Sequence, residues 1–183
     1  MSLRFVPLDE QGKDISKSRY LFETAFSAEE RPPFSVVLAM DHHLFFGAYE
    51  GERFIGFTYL VEFEDILYVF FLAVSKRYRN KGYGTGILNE IKARYPSHRL
   101  FLLADEVGER YPDNEIRKRR IAFYARNGFV DSGTIITEYG VRYHLLTFGG
   151  AKVSEADFYR TMRSLIGEEW TKKLYPDMQK LLG

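Results

Sequence analysis

Ile66-Leu67-Tyr68-Val69-Phe70-Phe71-Leu72-Ala73-Val74 is a nine-residue apolar run rich in β-branched and aromatic residues. A continuous run of this kind predicts a strand buried on both faces. Polar and basic residues follow, Ser75-Lys76-Arg77-Tyr78, and then Arg79-Asn80-Lys81-Gly82-Tyr83-Gly84. Beyond them Gly84, Ile87, Leu88, Ile91 and Tyr95 recur at the spacing of one helical face. The order is strand, glycine-bearing loop, helix.

The remaining pattern alternates in the same way. Leu3 to Leu8 predicts a short strand. Ser16 to Glu30 predicts a helix with Tyr20, Leu21, Thr24, Ala25 and Ala28 on its apolar stripe, stopped by Pro32-Pro33. Phe34 to Met40 predicts a short second helix. Leu44 to Tyr49 and Phe54 to Glu62 read as two strands joined by the turn Glu50-Gly51-Glu52-Arg53. A second turn near Glu62–Asp65 leads into the central strand, completing an antiparallel meander. Arg99 to Ala104 is the next strand and Asn114 to Asn127 a helix, with Gly128 as its left-handed cap. Phe129 to Thr137 and Val141 to Phe148 form a last hairpin around Tyr139-Gly140. After Gly149-Gly150 the tail differs in character. Ser154 opens a helix with Phe158, Met162, Leu165 and Ile166 on one side, and Trp170, Leu174, Met178 and Leu181 continue at near-helical spacing. Such a face needs an apolar partner, either the chain's own domain or a second copy in a homodimer.

Composition narrows the class. A chain of 183 residues with 45% hydrophobic and 16% aromatic content is one domain, or one with an appendage, and can bury a substantial core. A net charge of +1 gives no general argument for nucleic acid or acidic membranes. No run approaches the ~20 apolar residues of a membrane span, and Met1-Ser2-Leu3-Arg4 opens no apolar signal segment. The absence of cysteine excludes disulfides, thiolate zinc sites and a cysteine nucleophile. The default is a soluble cytoplasmic protein. His42-His43 would need further ligands at suitable spacing to form a metal site, and His98 and His144 do not supply them, so no metal is expected.

The loop after the central strand is suited to anions. The first N–H groups of a helix lack intrahelical partners, and the helix dipole adds partial positive charge. Gly82 and Gly84 let a ligand approach the backbone, and Arg77, Arg79 and Lys81 add full charges. A pyrophosphate is the natural guest. The dinucleotide pattern G-x-G-x-x-G fails from either glycine, which meets Ile87 or Asn89 where the third glycine belongs. The P-loop pattern is absent. What remains is [QR]-x-x-G-x-G, met by Arg79-x-x-Gly82-x-Gly84. In this setting the stretch resembles the acyl-CoA loop of the GCN5-related N-acetyltransferase (GNAT) superfamily. Phe123-Tyr124-Ala125-Arg126-Asn127-Gly128-Phe129 is similar to a second hallmark of that family, F-Y-x-x-x-G-F closing a helix before a strand. The likeness extends over about residues 3–148.

The resemblance implies a fold. This is an α/β (α+β) protein with a mixed, mostly antiparallel central sheet of about six to seven strands and flanking helices. Residues 1–150 form the acetyltransferase domain and 151–183 a C-terminal helical extension. It also implies acetyl-CoA as co-substrate. The strands Ile66–Val74 and Arg99–Ala104 splay at their ends, with the pantetheine arm in the gap. The arm pairs with the backbone of Leu72, Ala73 and Val74, and the pyrophosphate sits on Arg79, Asn80, Lys81, Gly82, Tyr83, Gly84 and Thr85. An amine attacks the thioester directly in a ternary complex, a strand N–H near Leu72 stabilises the oxyanion, and Tyr124 protonates the departing thiolate. The bland alternative for Tyr124 is packing against the cofactor, and the acid role is preferred.

The chain also departs from the family. An asparagine often found seven positions before that tyrosine is Arg117 here, and an alanine four before it is Arg120. The cluster Arg117-Lys118-Arg119-Arg120 is either a solvated face or a set of phosphate contacts, and Asn114 is a candidate to replace the missing amide. The histone-acetylating branch carries a glutamate six residues before the position of Val74, where this chain has Tyr68. The base must then come from elsewhere: Glu62, Glu64, Asp65, Asp105 or, preferred for its place at the end of a strand flanking the cleft, Glu106. Phe57, Tyr59, Tyr139 and Tyr143 could line an aromatic acceptor pocket or fill the sheet. The expected acceptor is a primary amine of a small molecule or peptide, and acidic residues at Glu62–Asp65 and Asp105–Glu109 suit a cationic one. The alternative is a catalytically silent acyl-CoA-binding sensor or scaffold.

Overall fold

A computed structural model describes residues 3–9, 12, 14–28, 31–40, 43–138 and 140–176. The elements are β1 (Arg4–Pro7), α1 (Ile15–Ala25), α2 (Phe34–Ala39), β2 (His43–Glu50), β3 (Arg53–Phe63), β4 (Ile66–Val74), α3 (Tyr83–Arg94), β5 (Arg99–Asp105), α4 (Asn114–Arg126), β6 (Phe129–Glu138), β7 (Val141–Phe148) and α5 (Glu155–Leu174), with a 3-10 turn at Lys76–Tyr78. The strands form one seven-stranded sheet in the order β1-β2-β3-β4-β5-β7-β6. β1–β2, β2–β3, β5–β7 and β6–β7 are antiparallel. β4 and β5 run parallel, and their register extends from Ile66↔Arg99 to Tyr68↔Phe101. The mixed, mostly antiparallel sheet with flanking helices matches the expectation. By internal contact the chain divides into two compact units, residues 1–61 with 69–96, and residues 62–68 with 97–183.

The first unit is organised by aromatic packing. Phe22 on α1 is 1% exposed. Its ring meets Phe71 edge-on at 4.9 Å and lies 5.4 Å from Phe34 and 5.5 Å from Phe26. This cluster decides which face of α1 points inward. The helix buries Ser18, Leu21 and Phe22, whereas Tyr20, expected on the apolar stripe, is 71% exposed. α1 also stops at Ala25, because Phe26 is extended and its ring is drawn into the same cluster. α3 buries Ile87, Leu88 and Ile91, as its periodicity predicts. β3 and β4 approach so closely that a Cβ on Gly56 would lie 2.1 Å from the Ala73 carbonyl oxygen.

The second unit is built on β5. Phe101 is fully buried and stacks on Tyr68 at 4.5 Å with planes 5° apart. Phe158 of α5 meets the two rings at 6.2 and 6.0 Å. α5 begins with a capping box: Ser154 Oγ accepts from the Asp157 N–H, while the Asp157 carboxylate accepts from the Ser154 N–H. Arg99 donates to both oxygens of Asp65 at 2.7 Å and to the Lys152 carbonyl at 2.7 Å, tying the turn before β4 to the start of the tail. α5 buries Phe158, Tyr159, Met162 and Leu165. Gly167, with φ 79°, breaks its helical geometry, and the apolar spacing loses its single face there, leaving Trp170 60% exposed. Met178 and Leu181 lie outside the described residues. Gly128, with φ 86°, is the left-handed residue after α4 that the sequence predicts.

Candidate active site

The loop after β4 is held by its own backbone. Arg79 donates from Nε to the Val74 carbonyl at 3.0 Å, and its N–H bonds the Lys76 carbonyl at 3.3 Å. Asn80 and Gly82 both take left-handed conformations, with φ of 61° and 82°. These turn the chain so that α3 starts at Tyr83 with Gly82 as its N-cap. No side chain caps the helix and no acidic residue sits in its first turn. The N–H groups of Tyr83, Gly84 and Thr85 therefore belong to the set that a helix leaves without internal partners, beside the exposed Arg79, Asn80 and Lys81. A chain of N–H groups and cations, with no acidic residue in the first helical turn, suits a pyrophosphate. The Tyr83 side chain does a different job. Its hydroxyl donates to Glu50 at 2.8 Å, which together with desolvation raises its pKa, so only its backbone is available to a ligand. On β4, Leu72 and Val74 are half-buried and Ala73 is buried.

Tyr124 lies in the last turn of α4, against Phe123 and Phe129. Its ring is half-buried. Burial raises its pKa; Arg120 pulls it down and Asp105 pushes it up. Its hydroxyl makes no hydrogen bond among the described residues. It thus remains protonated through neutral pH, with its proton available to a ligand.

The start of α4 is internally committed. Arg117 is 7% exposed. It pairs with Asp113 at 2.7 Å and Asp105 at 3.9 Å, donates to the Glu106 carbonyl at 3.2 Å, and lies 4.1 Å over the Tyr111 ring. Asn114 accepts from the Gly108 N–H at 2.8 Å. Both residues, expected at the cofactor, brace the loop between β5 and α4. Glu106 accepts from Tyr111 at 2.8 Å, from Arg142 at 2.9 Å and from Arg110. Those donors hold its carboxyl at about 2, far below the ordinary carboxylate range, which makes it a poor base. Asp105 is buried and paired with Arg120 at 2.6 Å, and Asp65 is taken by Arg99. Of the acids before β4, Glu62 meets His98 at 2.9 Å and Glu64 occupies a turn with φ 53°.

Other expectations resolve into packing. Phe57 and Tyr59 are fully buried, and Tyr59 donates to the Val37 carbonyl at 2.9 Å. His43 stacks on Tyr59 at 5.0 Å, while His42 and Tyr139 lie outside the described residues. Among the described residues no group of three potential metal ligands occurs, and no helix is long and apolar enough to cross a membrane. One pairing has no local sequence signal. Glu138, at the end of β6, accepts a hydrogen bond from Tyr175, which follows α5.

Residues 41–131 match the domain model described as acetyltransferase (GNAT) domain. No curated protein matches the chain. Among solved structures, a GNAT-family protein from Bacteroides thetaiotaomicron superposes with a TM-score of 0.70 at 22% identity, covering 87% of this chain and 93% of that one. A GNAT-family acetyltransferase from Elizabethkingia anophelis with acetyl-CoA bound has a TM-score of 0.56 at 15% identity, covering 80% and 97%. The ribosomal-protein-S18-alanine N-acetyltransferase from Escherichia coli has a TM-score of 0.59 at 17% identity, covering 84% and 97%. At these identities the likeness concerns the fold. With the family's domain model matched and its fold in place, the chain belongs to the GCN5-related N-acetyltransferase superfamily.

Proposed function

We propose that the protein transfers an acetyl group from acetyl-CoA to a primary amine of a small molecule or peptide. The observation that carries this is the loop from Arg79 to Thr85. Two left-handed residues deliver a helix N-terminus with no side-chain cap and no acidic residue in its first turn, flanked by cations, shortly after the central strand. In this proposal the N–H groups of Asn80 to Thr85 and the charges of Arg79 and Lys81 hold the pyrophosphate. The backbone of Leu72 to Val74 aligns the pantetheine arm. Tyr124 donates the proton that the departing thiolate needs, its hydroxyl being uncommitted among the described residues. Relatives of this fold include one crystallised with acetyl-CoA and one named for acetylating an alanine of a ribosomal protein, which fits an amine acceptor. Because Arg117, Asn114 and Glu106 are tied to internal partners, they serve here to shape the β5–α4 loop. A cysteine-free chain using acetyl-CoA suits the cytoplasm.

Tyr68, standing where the histone-acetylating branch has a glutamate, favours a second possibility, an acyl-CoA sensor without turnover. Thermal unfolding with acetyl-CoA, CoA, NAD and ATP tests the donor. Acetyl-CoA and CoA should raise the midpoint, NAD and ATP should not, and the opposite pattern would overturn the proposal. Thiol release with amines then separates enzyme from sensor.

A further inference from the structure

The loop from Ser75 to Tyr83 bridges two points on one hairpin, β2–β3, inside the first unit. Its near end is tied by backbone: the Ser75 N–H donates to the Ile55 carbonyl at 2.9 Å. Ile55 is the residue that β2 skips, since Ala48 pairs with Gly56 and Tyr49 with Phe54. A bulge of this kind leaves one residue outside the ladder and bends the strand. The far end is tied by one side chain. Tyr83, the first residue of α3, is 8% exposed, and its hydroxyl donates to Glu50 Oε2 at 2.8 Å. Glu50 ends β2 and is also held by Arg53 at 2.5 Å. Between the ties, Tyr78 meets the Tyr83 ring edge-on at 5.6 Å, and the Arg77 guanidinium lies 4.8 Å over the Tyr78 ring. The two left-handed residues, Asn80 and Gly82, lie in the same span.

On charge alone Glu50 is out of place, because a carboxylate close to an anion site opposes binding there. Resting on the acetyl-CoA reading above, we infer that Glu50 is a positioning residue for the donor site. Through the Tyr83 hydroxyl it fixes where α3 begins, and so where the N–H groups of Tyr83, Gly84 and Thr85 point. The buried phenol needs an acceptor, and a charged acceptor makes the stronger, more directional bond. A loop held at both ends meets its ligand already ordered, so binding does not have to supply that order. Arg53 offsets the charge of Glu50, and solvent screens what is left. The backbone tie at Ser75 survives any change of side chain. The tie at Tyr83 rests on Glu50.

The test is calorimetric titration of the full chain with acetyl-CoA, with thermal unfolding of the free protein to follow folding separately. Glu50→Ala removes acceptor and charge together and should raise the Kd about tenfold. Tyr83→Phe removes only the hydroxyl and should raise it by a similar factor, the double variant being no worse than the weaker single one. Glu50→Gln keeps an acceptor oxygen and loses the charge, and should stay within about threefold of wild type. Glu52→Gln removes a charge from the same turn, where Glu52 pairs with Arg4 at 3.8 Å, and should leave the Kd unchanged. A charge-only role predicts the opposite sign, with Glu50→Ala and Glu50→Gln both binding more tightly, most of all at low salt. A purely structural role predicts a lower thermal midpoint and an unaltered Kd. Either result, or additive effects in the double variant, overturns the inference alone. Should Glu50→Ala fail to fold, Tyr83→Phe and Glu50→Gln decide. A wild-type protein that does not bind acetyl-CoA overturns the donor reading and the inference with it.

Discussion

Replacing Gly82 with alanine probes the loop where it is most specific. Gly82 holds φ 82° and ψ −2° as the N-cap of α3. A Cβ in that left-handed region costs about 1–2 kcal/mol. The residue is exposed, so the loop can relieve the strain by rotating away. The relaxed loop no longer aims its N–H groups together, and the left-handed geometry must be restored when ligand binds. The cost should therefore appear in binding, as an acetyl-CoA Kd raised about five- to thirtyfold, with little change in thermal midpoint. Gly128→Ala is the control. Its φ is nearly the same at 86°, but its Cβ would meet Phe148 at 2.9 Å, and the residue follows α4 rather than opening α3. There the strain should lower the thermal midpoint and leave the Kd unchanged. Calorimetric titration and thermal unfolding on both variants read the two effects separately. A Gly82→Ala protein that binds acetyl-CoA as tightly as wild type would refute the role given to this loop.

Tyr124→Phe should lower kcat about a hundredfold in the thiol-release assay while leaving stability and acetyl-CoA affinity near wild type, because its hydroxyl has no internal partner among the described residues. Phe22→Ala should cost about 3–5 kcal/mol in denaturant unfolding, whereas Tyr20→Ala on the exposed face of the same helix should stay within about 0.5 kcal/mol. Burial works against ionisation of Asp157, but Ser154, Arg160 and Arg99 overcome it and hold its carboxyl at about 2. A lowered folded-state pKa gives stability that is present above the unfolded value of about 3.9 and is lost as pH falls toward 2. Asp157→Asn should accordingly reduce stability at pH 7 and flatten the acid limb of the midpoint–pH curve between those values.

Where one stretch of chain carries both pattern and partner, the sequence was enough. The run from Ile66 to Val74 becomes β4 with the same ends, and the glycine pattern after it becomes a left-handed N-cap. Phe123 to Phe129 closes α4 and opens β6 as expected. Where the deciding contact is distant, the sequence was silent. α1 offers two adjacent apolar stripes, and only the cluster of Phe34, Phe57 and Phe71 selects the one containing Phe22. Glu106 looked like a free acid at a strand end, but Arg142, which helps disable it as a base, arrives from β7. The strand predicted to end at Thr137 runs on to Glu138, whose partner Tyr175 is 37 positions away. The near-helical spacing from Phe158 to Leu174 gave no sign that Gly167, with its positive φ, breaks the tail's apolar face.

Acetyl transfer itself is tested most directly by incubating the protein with acetyl-CoA and a panel of amines, including propylamine, a polyamine, an aminoglycoside and peptides with free N-termini, and following thiol release and acetylated product together. The expected result is product formed one-for-one with CoA thiol from at least one amine, at a rate lowered about a hundredfold by Tyr124→Phe. Tight acetyl-CoA binding with no acetylated product from any of them would contradict it and leave an acyl-CoA sensor.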